Sequence, residues 1–488
     1  MTDDKLSQQK LESYLWGCAE YLRNKIDAGD YKVYIFPMLF YKRVSDVYDE
    51  EYESLMNETG DEKYARNPIN HKFVIPDGCH WNDLRKITKD VGIKIQKSMQ
   101  EIGKANPEVL YDIFGDANWG YKERLSDETL IDLIEHFSTE KLSVARVPDD
   151  QMGNAYEFLI KKFADDSGHT AAEFYTNRTV VSLMTELLKP QSNESIYDPT
   201  CGTGGMLLEC INYLKRNKKD HRTISLYGQE KNVISSSIAR MNTLLHGYAD
   251  AKIKQGDTLE EPLFLIGDKL QKFDIILANP PYSINKWNQN KFKSDPYNRN
   301  IYGTPTQGIA DYAFIQHIIS SMTTSGRAAI LLPHGVLFRD SEIDIRKKLL
   351  DDDKLEAVIS LPKDMFYNSS MESCIMIFKT KKDKQHRNKI QFINALEDFE
   401  RKDKKNFFNQ KHIDKITKVY NSFTNNEKIS YIADKNEIIQ NNYSLTVSLY
   451  VEQFESESYL PTNLAIKQWK SDSKSLSKYI VNLLNDLK

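Results

Sequence analysis

The spacing of apolar residues divides the chain near residue 165. Before that point, apolar positions recur at helical intervals, as in Leu15, Cys18 and Leu22, and predict an α-helical region. A second helix is predicted from Tyr34 to Tyr48, and the acids at its far end, beginning with Asp46, indicate a solvated face. This part of the sequence shows no alternation of strand and helix patterns.

After about residue 170, short apolar runs alternate with helical patterns, which is typical of a parallel sheet. The candidate strands are Ser195–Tyr197, Ile224–Gly228, Ile253–Gln255, Phe273–Ala278, Arg327–Leu332, Leu355–Leu361 and Ser373–Phe378. The expected fold is α/β: a mostly parallel, Rossmann-like sheet with helices on both faces. An α-helical N-terminal domain precedes it, and a helical C-terminal tail follows.

Three domains are predicted from these changes of pattern. Residues 1–165 form the helical N-terminal domain, residues 166–400 the sheet domain, and residues 401–488 a C-terminal extension rich in Lys and Asn. The extension ends in an amphipathic segment from Lys467 to Lys488. A terminal helix of this kind commonly packs on its own domain, and the alternative, docking onto a partner subunit, is the role we expect.

Composition narrows the class of protein. The chain has 488 residues, a net charge of −4 and five scattered cysteines. No apolar run approaches the length of a membrane span, and Met-Thr-Asp-Asp-Lys does not begin a secretory signal, so we expect a cytoplasmic protein. Without a C-x-x-C pair, neither a disulfide nor a zinc site is expected. Slight acidity argues against a stand-alone DNA-binding protein, although a basic partner could supply the missing charge.

Two local basic runs interrupt this acidity. The first consists of Lys379, Lys381, Lys382, Lys384, Arg387 and Lys389, and the second of Arg401, Lys402, Lys404 and Lys405. Runs of like charge are usually solvated, so both are interpreted as exposed loops.

Candidate chemistry begins where the strand Phe273–Ala278 stops at Asn279-Pro280-Pro281-Tyr282. Two prolines cannot continue a central strand, so they fix the chain just past its carboxyl end, where open α/β sheets hold ligands. The Asn279 side-chain oxygen and the Pro280 carbonyl can accept the two N–H bonds of a planar amine, while Tyr282 stacks on its ring. Holding both hydrogens localises the nitrogen lone pair, which can then attack an electrophilic methyl group. A proline-rich turn without chemistry is the alternative interpretation.

A glycine-rich turn follows the first predicted strand. It runs from Asp198 through Thr203, Gly204 and Gly205 and opens a helix. Glycines allow a ligand to approach the backbone closely. The turn differs from the dinucleotide fingerprint and lacks the lysine of a phosphate-binding loop.

Acids end the next two strands. Glu230 can accept both ribose hydroxyls of an adenosyl ligand, and Asp257 can accept a proton of the adenine amino group. Along the chain, the order is a glycine-rich turn, an acid for the ribose, an acid for the adenine, and Asn-Pro-Pro-Tyr. All four are expected at one edge of the sheet. This order indicates a site for S-adenosylmethionine (SAM).

A further segment upstream completes the candidate site. Thr176 or Asn177 can cap the helix that runs from Val180 to Leu188. A capped helix N-terminus beside Arg178 suits an anion such as the carboxylate of SAM, although an ordinary capped helix would show the same pattern.

Together these residues resemble the modification (M) subunit of type I restriction–modification systems, a family of N6-adenine DNA methyltransferases. The resemblance covers nearly the whole chain. The supporting segments are Leu15–Leu22 with Asp30–Lys32, Ala310–His317, Leu332–Arg339, Ile345–Leu350, Leu361–Tyr367, Asn442–Leu445 and Tyr450–Val451.

The resemblance also implies roles for particular residues. SAM contacts are implied for Glu173, Phe174, Tyr175, Thr176, Asn177, Arg178, Thr203, Gly204, Gly205 and Glu230. Activation of adenine is implied for Asn279 and Pro280, with Tyr282 stacking on the base. The implied partners are double-stranded DNA, one DNA-reading specificity subunit shared by two M subunits, and restriction subunits for cleavage.

The chain departs from the family pattern at two places. The family usually has proline where Asn177 stands, so a looser cofactor loop is expected. After Tyr367 the family usually shows Gly-Thr-Gly-Ile-Pro, whereas this chain has Asn-Ser-Ser-Met-Glu from Asn368 to Glu372. The loop near the target base is therefore expected to differ.

The expected function is methyl transfer from SAM to the N6 amine of an adenine flipped out of duplex DNA. No metal and no strong general base are needed, and His334 is interpreted as a residue that shapes a loop. Phe366 is a candidate for the opposite face of the base, with core packing favoured. The alternatives are a methyltransferase for protein glutamine or RNA amines, a solitary DNA methyltransferase of another type, and a non-catalytic scaffold.

Overall fold

The computed structural model describes residues 5–166, 176–282, 284, 286–366, 372–402 and 405–451, together with 469, 470 and 473. Three of the predicted cofactor residues, Glu173, Phe174 and Tyr175, lie outside the described residues. So do the segment from Tyr367 to Met371 and nearly all of the predicted terminal helix.

Helices build the N-terminal part, as the sequence predicts. They are α1 (Gln8–Leu22), α2 (Tyr31–Thr59), α3 (Glu62–Ala65), α4 (Trp81–Leu84), α5 (Val91–Ala105), α6 (Asp127–Phe137) and α7 (Asp149–Asp166). Leu15, Cys18 and Leu22 are buried, so the predicted helical stripe faces a core. None of the described helices is long and apolar enough to cross a membrane.

The predicted solvated face of α2 is wrong at Asp46. This carboxylate is only 8% exposed, pairs with Lys42 and accepts the N–H of Leu142 at 2.6 Å. Burying a charge is costly unless it is paired and hydrogen-bonded, and both conditions hold here.

The second half of the chain alternates strands and helices. Its elements are α8 (Arg178–Leu188), β1 (Ser195–Asp198), α9 (Gly205–Arg216), β2 (Ser225–Glu230), α10 (Val233–Leu245), β3 (Lys252–Gln255), β4 (Leu265–Ile266), β5 (Lys269–Leu270), β6 (Phe273–Ala278), α11 (Gln289–Lys293), α12 (Asp311–Ser320), β7 (Met322–Pro333), α13 (Ile343–Asp351), β8 (Leu355–Ser360), β9 (Ser373–Lys379), β10 (Lys389–Asn394), β11 (Glu400–Lys402), β12 (Lys405–Phe407), α14 (Gln410–Ser422), β13 (Ser430–Asp434) and α15 (Lys435–Gln440).

Within the described residues, nine strands form one sheet in the order β13-β10-β8-β9-β7-β6-β1-β2-β3. Strands β7, β6, β1, β2 and β3 are parallel to one another, and β8 is parallel to β10. Strand β9 is antiparallel to β7 and β8, and β13 is antiparallel to β10. The sheet is therefore mostly parallel, which confirms the predicted fold. It also continues past residue 400 through β13.

Both faces of the sheet are covered, because successive side chains point to opposite sides. Ile275 and Leu277 of β6 join a core with α8, α9 and α14, whereas Ile276 and Ala278 join a second core with α12 and α13. This burial on both faces explains the continuous apolar run of β6.

The helical region and the sheet region share a core at α10. Ile238, Met241, Leu244 and Leu245 of this helix pack into the cluster that the N-terminal helices form, while Ala239 belongs to a core of the sheet. One helix is thus common to both parts of the molecule.

Candidate functional site

The site lies at the carboxyl edge of the sheet. Strand β1 has β6 on one side and β2 on the other, and β3 follows β2. Because the four strands are parallel, the residues after them meet at the same edge. The chain leaves β1 toward β2 on one side and returns to β6 on the other, which opens a crevice at the carboxyl ends. The structure therefore brings Asp198, Glu230, Asp257 and Asn279 to one edge.

The side chain of Asn279 is held on one end. Its Nδ2 donates a hydrogen bond to Oγ1 of Thr176 at 3.0 Å. No described residue donates to its Oδ1, so the acceptor end of the amide is available for a ligand. Pro280 is buried and Pro281 is exposed, in keeping with a chain that turns out of the sheet.

The ring of Tyr282 is half-buried and its hydroxyl is fully enclosed, with no hydrogen-bond partner among the described residues. Burial raises the pKa of Tyr282 far above its usual value, and the charges of Cys374 and Asp311 add to the effect. The phenol therefore stays neutral.

The glycine-rich turn leaves no room for side chains. Gly204 has a φ of +82°, and a Cβ added to Gly205 would lie 1.7 Å from Nη1 of Arg178. Asp198 starts the turn by accepting the N–H of Thr200 at 3.0 Å. Only glycine permits both the left-handed backbone and the close packing of Arg178.

Two carboxyl groups face this turn. Glu230 accepts the N–H of Gly202 at 2.9 Å and that of Asn232 at 2.7 Å, which ties the end of β2 to the turn after β1. Burial raises the pKa of Asp198 to about 8, and the charge of Glu230 adds to this rise. Burial also raises the pKa of Glu230. A cationic ligand would stabilise both groups in their ionised forms.

Asp257 lies after β3, and its carboxylate has three partners. One oxygen accepts the N–H groups of Leu259 and Glu260 at 3.0 and 3.2 Å, and the other pairs with exposed Lys231 at 2.9 Å. An adenine amino group would share Asp257 with this lysine.

Arg178 makes a contact that the sequence did not reveal. Its guanidinium donates twice to one oxygen of Glu157, at 2.6 and 3.0 Å. Asn242 donates to the other oxygen of Glu157 at 2.5 Å and to the carbonyl of Thr203 at 2.9 Å. Burial raises the pKa of Glu157, but Arg178 and His246 outweigh it and leave this pKa below its usual value.

Asn177 begins α8 and also reaches across the site. Its oxygen accepts the N–H of Thr179 at 3.0 Å, while its Nδ2 donates to the carbonyls of Met365 at 2.9 Å and Asn406 at 3.2 Å. Proline could make none of these side-chain bonds. At this residue the departure from the family pattern adds contacts, whereas a looser loop was expected.

Two further candidates from the sequence are the basic residue His334 and the aromatic residue Phe366. His334 is half-buried, its ring lies beside that of Phe338, and burial lowers its pKa. Phe366 is half-buried and packs against the core on the α8 and α9 side of the sheet. Among the described residues, no group of three His, Cys, Asp or Glu side chains could hold a metal ion.

Comparison with known proteins defines the class of this site. Residues 147–458 match the N-6 DNA Methylase family, and residues 11–137 match the HsdM N-terminal domain. The chain therefore belongs to the N-6 DNA methylase family, whose members methylate adenine in DNA.

Its relatives place it more narrowly. The type I restriction enzyme MjaVIII methylase subunit of Methanocaldococcus jannaschii is 32% identical over 476 residues, which cover 93% of this chain and 80% of the relative. The MpnII methylase subunit of Mycoplasma pneumoniae is 29% identical and aligns with 100% of this chain and 98% of its own. A type I methyltransferase subunit from Streptococcus thermophilus superimposes with a TM-score of 0.79 at 29% identity, over 92% of this chain and 100% of that one. The chain is thus an adenine-specific DNA methyltransferase of the type I modification-subunit class.

Proposed function

We propose that this chain transfers a methyl group from SAM to the N6 amine of an adenine flipped out of double-stranded DNA. It would act as one of two modification subunits bound to a DNA-reading specificity subunit, with restriction subunits joining for cleavage. The observation that carries the proposal is the position of Asn279. Its acceptor end is open at the end of β6, beside the glycine-rich turn of β1.

The residues at the edge of β1 and β2 fit SAM. Gly204 adopts the left-handed backbone that the turn requires, and the raised pKa values of Asp198 and Glu230 fall when a cation lies near them. When bound, SAM supplies an electrophilic methyl group on a positively charged sulfur. Glu230 would hold the ribose, and Asp257 the adenine of the cofactor.

The Asn-Pro-Pro-Tyr segment would activate the target amine. Oδ1 of Asn279 and the carbonyl of Pro280 accept its two hydrogens, and they also stabilise the positive charge that develops on the nitrogen. Tyr282 stacks on the flipped base, which offsets the few kcal/mol that unpairing costs. The surplus proton of the methylated amine is acidic and passes to water, so His334 has no role in this step.

Two observations support the proposed partner subunits: the class of the relatives and the net charge of the chain. Both relatives described above are subunits of larger enzymes. A net charge of −4 provides little general attraction for DNA, so most phosphate contacts would come from elsewhere in the complex.

Asn279→Ala tests the proposal. We expect methyl transfer to fall below detection, while the Kd for SAM changes by no more than a few fold, because Asn279 acts on the amine. Asn290→Ala is the matched control, since Asn290 is exposed on α11 and should leave activity unchanged.

The measurement is a map of methylated adenines in the host genome, combined with calorimetry of SAM binding. Loss of methylation from one split motif in the Asn279 variant would support the proposal. An unchanged map would overturn it and point to a protein or RNA amine as the substrate. Equal loss of SAM binding and methyl transfer would refute the role given to Asn279.

A further inference from the structure

The two basic runs of the sequence lie at opposite edges of the sheet. The first leads into β10, which is parallel to β8 and begins at the amino edge, away from Asn279. Two of its lysines are neutralised internally: Lys379 pairs with Glu356 and Lys382 with Asp353, both at 2.8 Å. The prediction of a solvated loop is wrong for Lys382, which is 6% exposed.

The second run forms a hairpin at the catalytic edge. Strands β11 and β12 are antiparallel, with Lys402 opposite Lys405, and they follow the carboxyl end of β10. All three residues of β11 are exposed, whereas Asn406 at the centre of β12 is buried. The hairpin therefore presents one strand to solvent and fixes the other against the site.

Asn406 anchors the hairpin beside the catalytic residues. Its N–H donates to the carbonyl of Asp364 at 3.0 Å, and its Nδ2 donates to the carbonyl of Lys363 at 2.8 Å. Its own carbonyl accepts the bond from Asn177 at 3.2 Å. Asn177 directly follows Thr176, whose hydroxyl accepts the hydrogen bond from Asn279. The residue that contacts the hairpin and the residue that contacts Asn279 are therefore neighbours in the chain.

The cations of this edge are available to a ligand. The side chains of Arg401 and Lys363 are 58% and 63% exposed, and Lys402 makes no ion pair with the described part of the chain. Two of these cations have exposed acidic partners: Asp364 lies 3.7 Å from Arg401, and Glu372 lies 3.0 Å from Lys363. Exposed ion pairs contribute little, so phosphate groups can replace these acids.

We propose that the surface formed by Lys363, Arg401 and Lys402 binds phosphates of the DNA backbone and holds the duplex beside Asn279. The proposal deepens the proposed function and rests on it. The contact is independent of base sequence, because phosphates position the duplex without identifying it. A chain with an overall negative charge would thus have a local basic surface where the target strand passes.

The double variant Arg401→Ala/Lys402→Ala tests this surface in the full chain bound to its DNA-reading partner. DNA affinity is measured by fluorescence anisotropy of a labelled duplex at several salt concentrations. Removing two phosphate contacts should weaken binding about tenfold and reduce the slope of log K against log salt by roughly 1.8, since each contact contributes about 0.9. The kcat at saturating DNA and the Kd for SAM should stay within about twofold.

Lys384→Ala/Arg387→Ala is the matched control. It removes the same two residue types from exposed positions at the opposite edge and should leave the salt slope unchanged. Arg401→Lys/Lys402→Arg keeps both charges and should bind like the wild type.

An unchanged salt slope in the Arg401/Lys402 variant would overturn the proposal. Equal weakening by the control would also overturn it, because net charge alone would then explain the effect. The proposed function fails separately, if the wild-type complex binds the duplex but transfers no methyl group to it.

Discussion

At the scale of single residues, the proposed methyl transfer depends on which end of the Asn279 amide faces the substrate. The two ends are similar in size, but only the oxygen can accept a hydrogen from the target amine. The bond from Nδ2 to Thr176 at 3.0 Å holds the other end. We therefore propose Thr176 as a positioning residue for Asn279, in addition to the cofactor contact that the resemblance implies.

Thr176→Val should lower kcat, because valine keeps the shape of threonine and removes the oxygen that accepts the Nδ2 bond. The loss of one hydrogen bond is worth about 1–1.5 kcal/mol, which corresponds to roughly a 5- to 13-fold slower reaction. Thr176→Ser keeps the hydroxyl and should restore kcat. The measurements are kcat at saturating DNA and the Kd for SAM. A variant that binds SAM weakly but keeps its kcat would show that Thr176 serves the cofactor alone.

These residues also mark what the sequence reveals. Asn279 and Glu230 are recognisable because each directly ends a short apolar strand, which is a local pattern. The partner of Asn279 lies 103 positions away, and Glu157 lies 85 positions from Asn242. Contacts over such separations depend on the path of the chain through the fold, so no pattern within a segment predicts them.

At the scale of elements, one side chain serves a helix and a hairpin. Asn177 caps α8 with its oxygen, and with its Nδ2 it ties Met365 and Asn406 to that cap. The two functions can be separated, because serine caps a helix as well as asparagine but is too short to reach the two carbonyls.

Asn177→Ser should speed amide hydrogen exchange at residues 405–408 by about tenfold, since about 1.4 kcal/mol of local hydrogen bonding is lost. Exchange at the start of α8 should be unchanged. Asn177→Ala removes the cap as well and should speed exchange in both segments. If Asn177→Ser accelerates α8 as much as the hairpin, the two functions are not separate.

The bounds of an element were predictable where the burial of apolar side chains alone determines them. The bounds of β6 coincide with the prediction, because an apolar run buried on both faces stops at two prolines. β7 begins at Met322, earlier than the predicted Arg327; the start was missed because polar, partly exposed residues, Thr323 to Ser325, follow Met322. The hairpin of β11 and β12 was missed because its charged residues show no apolar pattern typical of a strand. Backbone bonds to Asp364 fix its place, and they leave no trace in the local sequence.

At the scale of the whole molecule, the helical region supports the glycine-rich turn. Helix α10 contributes to both cores, so the two regions are expected to unfold together. Glu157 of α7 carries the same connection into the site through Arg178 and Asn242. Glu157, which lies on a helix before the sheet, thus stabilises the glycine-rich turn through these two residues.

Glu157→Gln should destabilise the protein by about 1–2 kcal/mol at pH 7, as expected for hydrogen bonds to a charged group that water partly reaches. The folded pKa of Glu157 lies below its usual value of 4.5, so its contribution is complete above that value. It is lost as the pH falls through the folded pKa. The difference between variant and wild type should therefore shrink below about pH 4.5, measured as the shift of the urea unfolding midpoint.

Asp150→Asn is the matched control for Glu157→Gln, because both acids lie on α7 and pair with a cation of the sheet region. Asp150 meets Lys215 at 2.6 Å but is 73% exposed, so its loss should cost less than about 0.5 kcal/mol at any pH. Equal effects of the two substitutions would mean that α7 is held by general charge attraction. A larger effect of Glu157→Gln that shrinks as the pH falls below 4.5 would locate the connection between the helices and the glycine-rich turn at the Glu157 carboxylate.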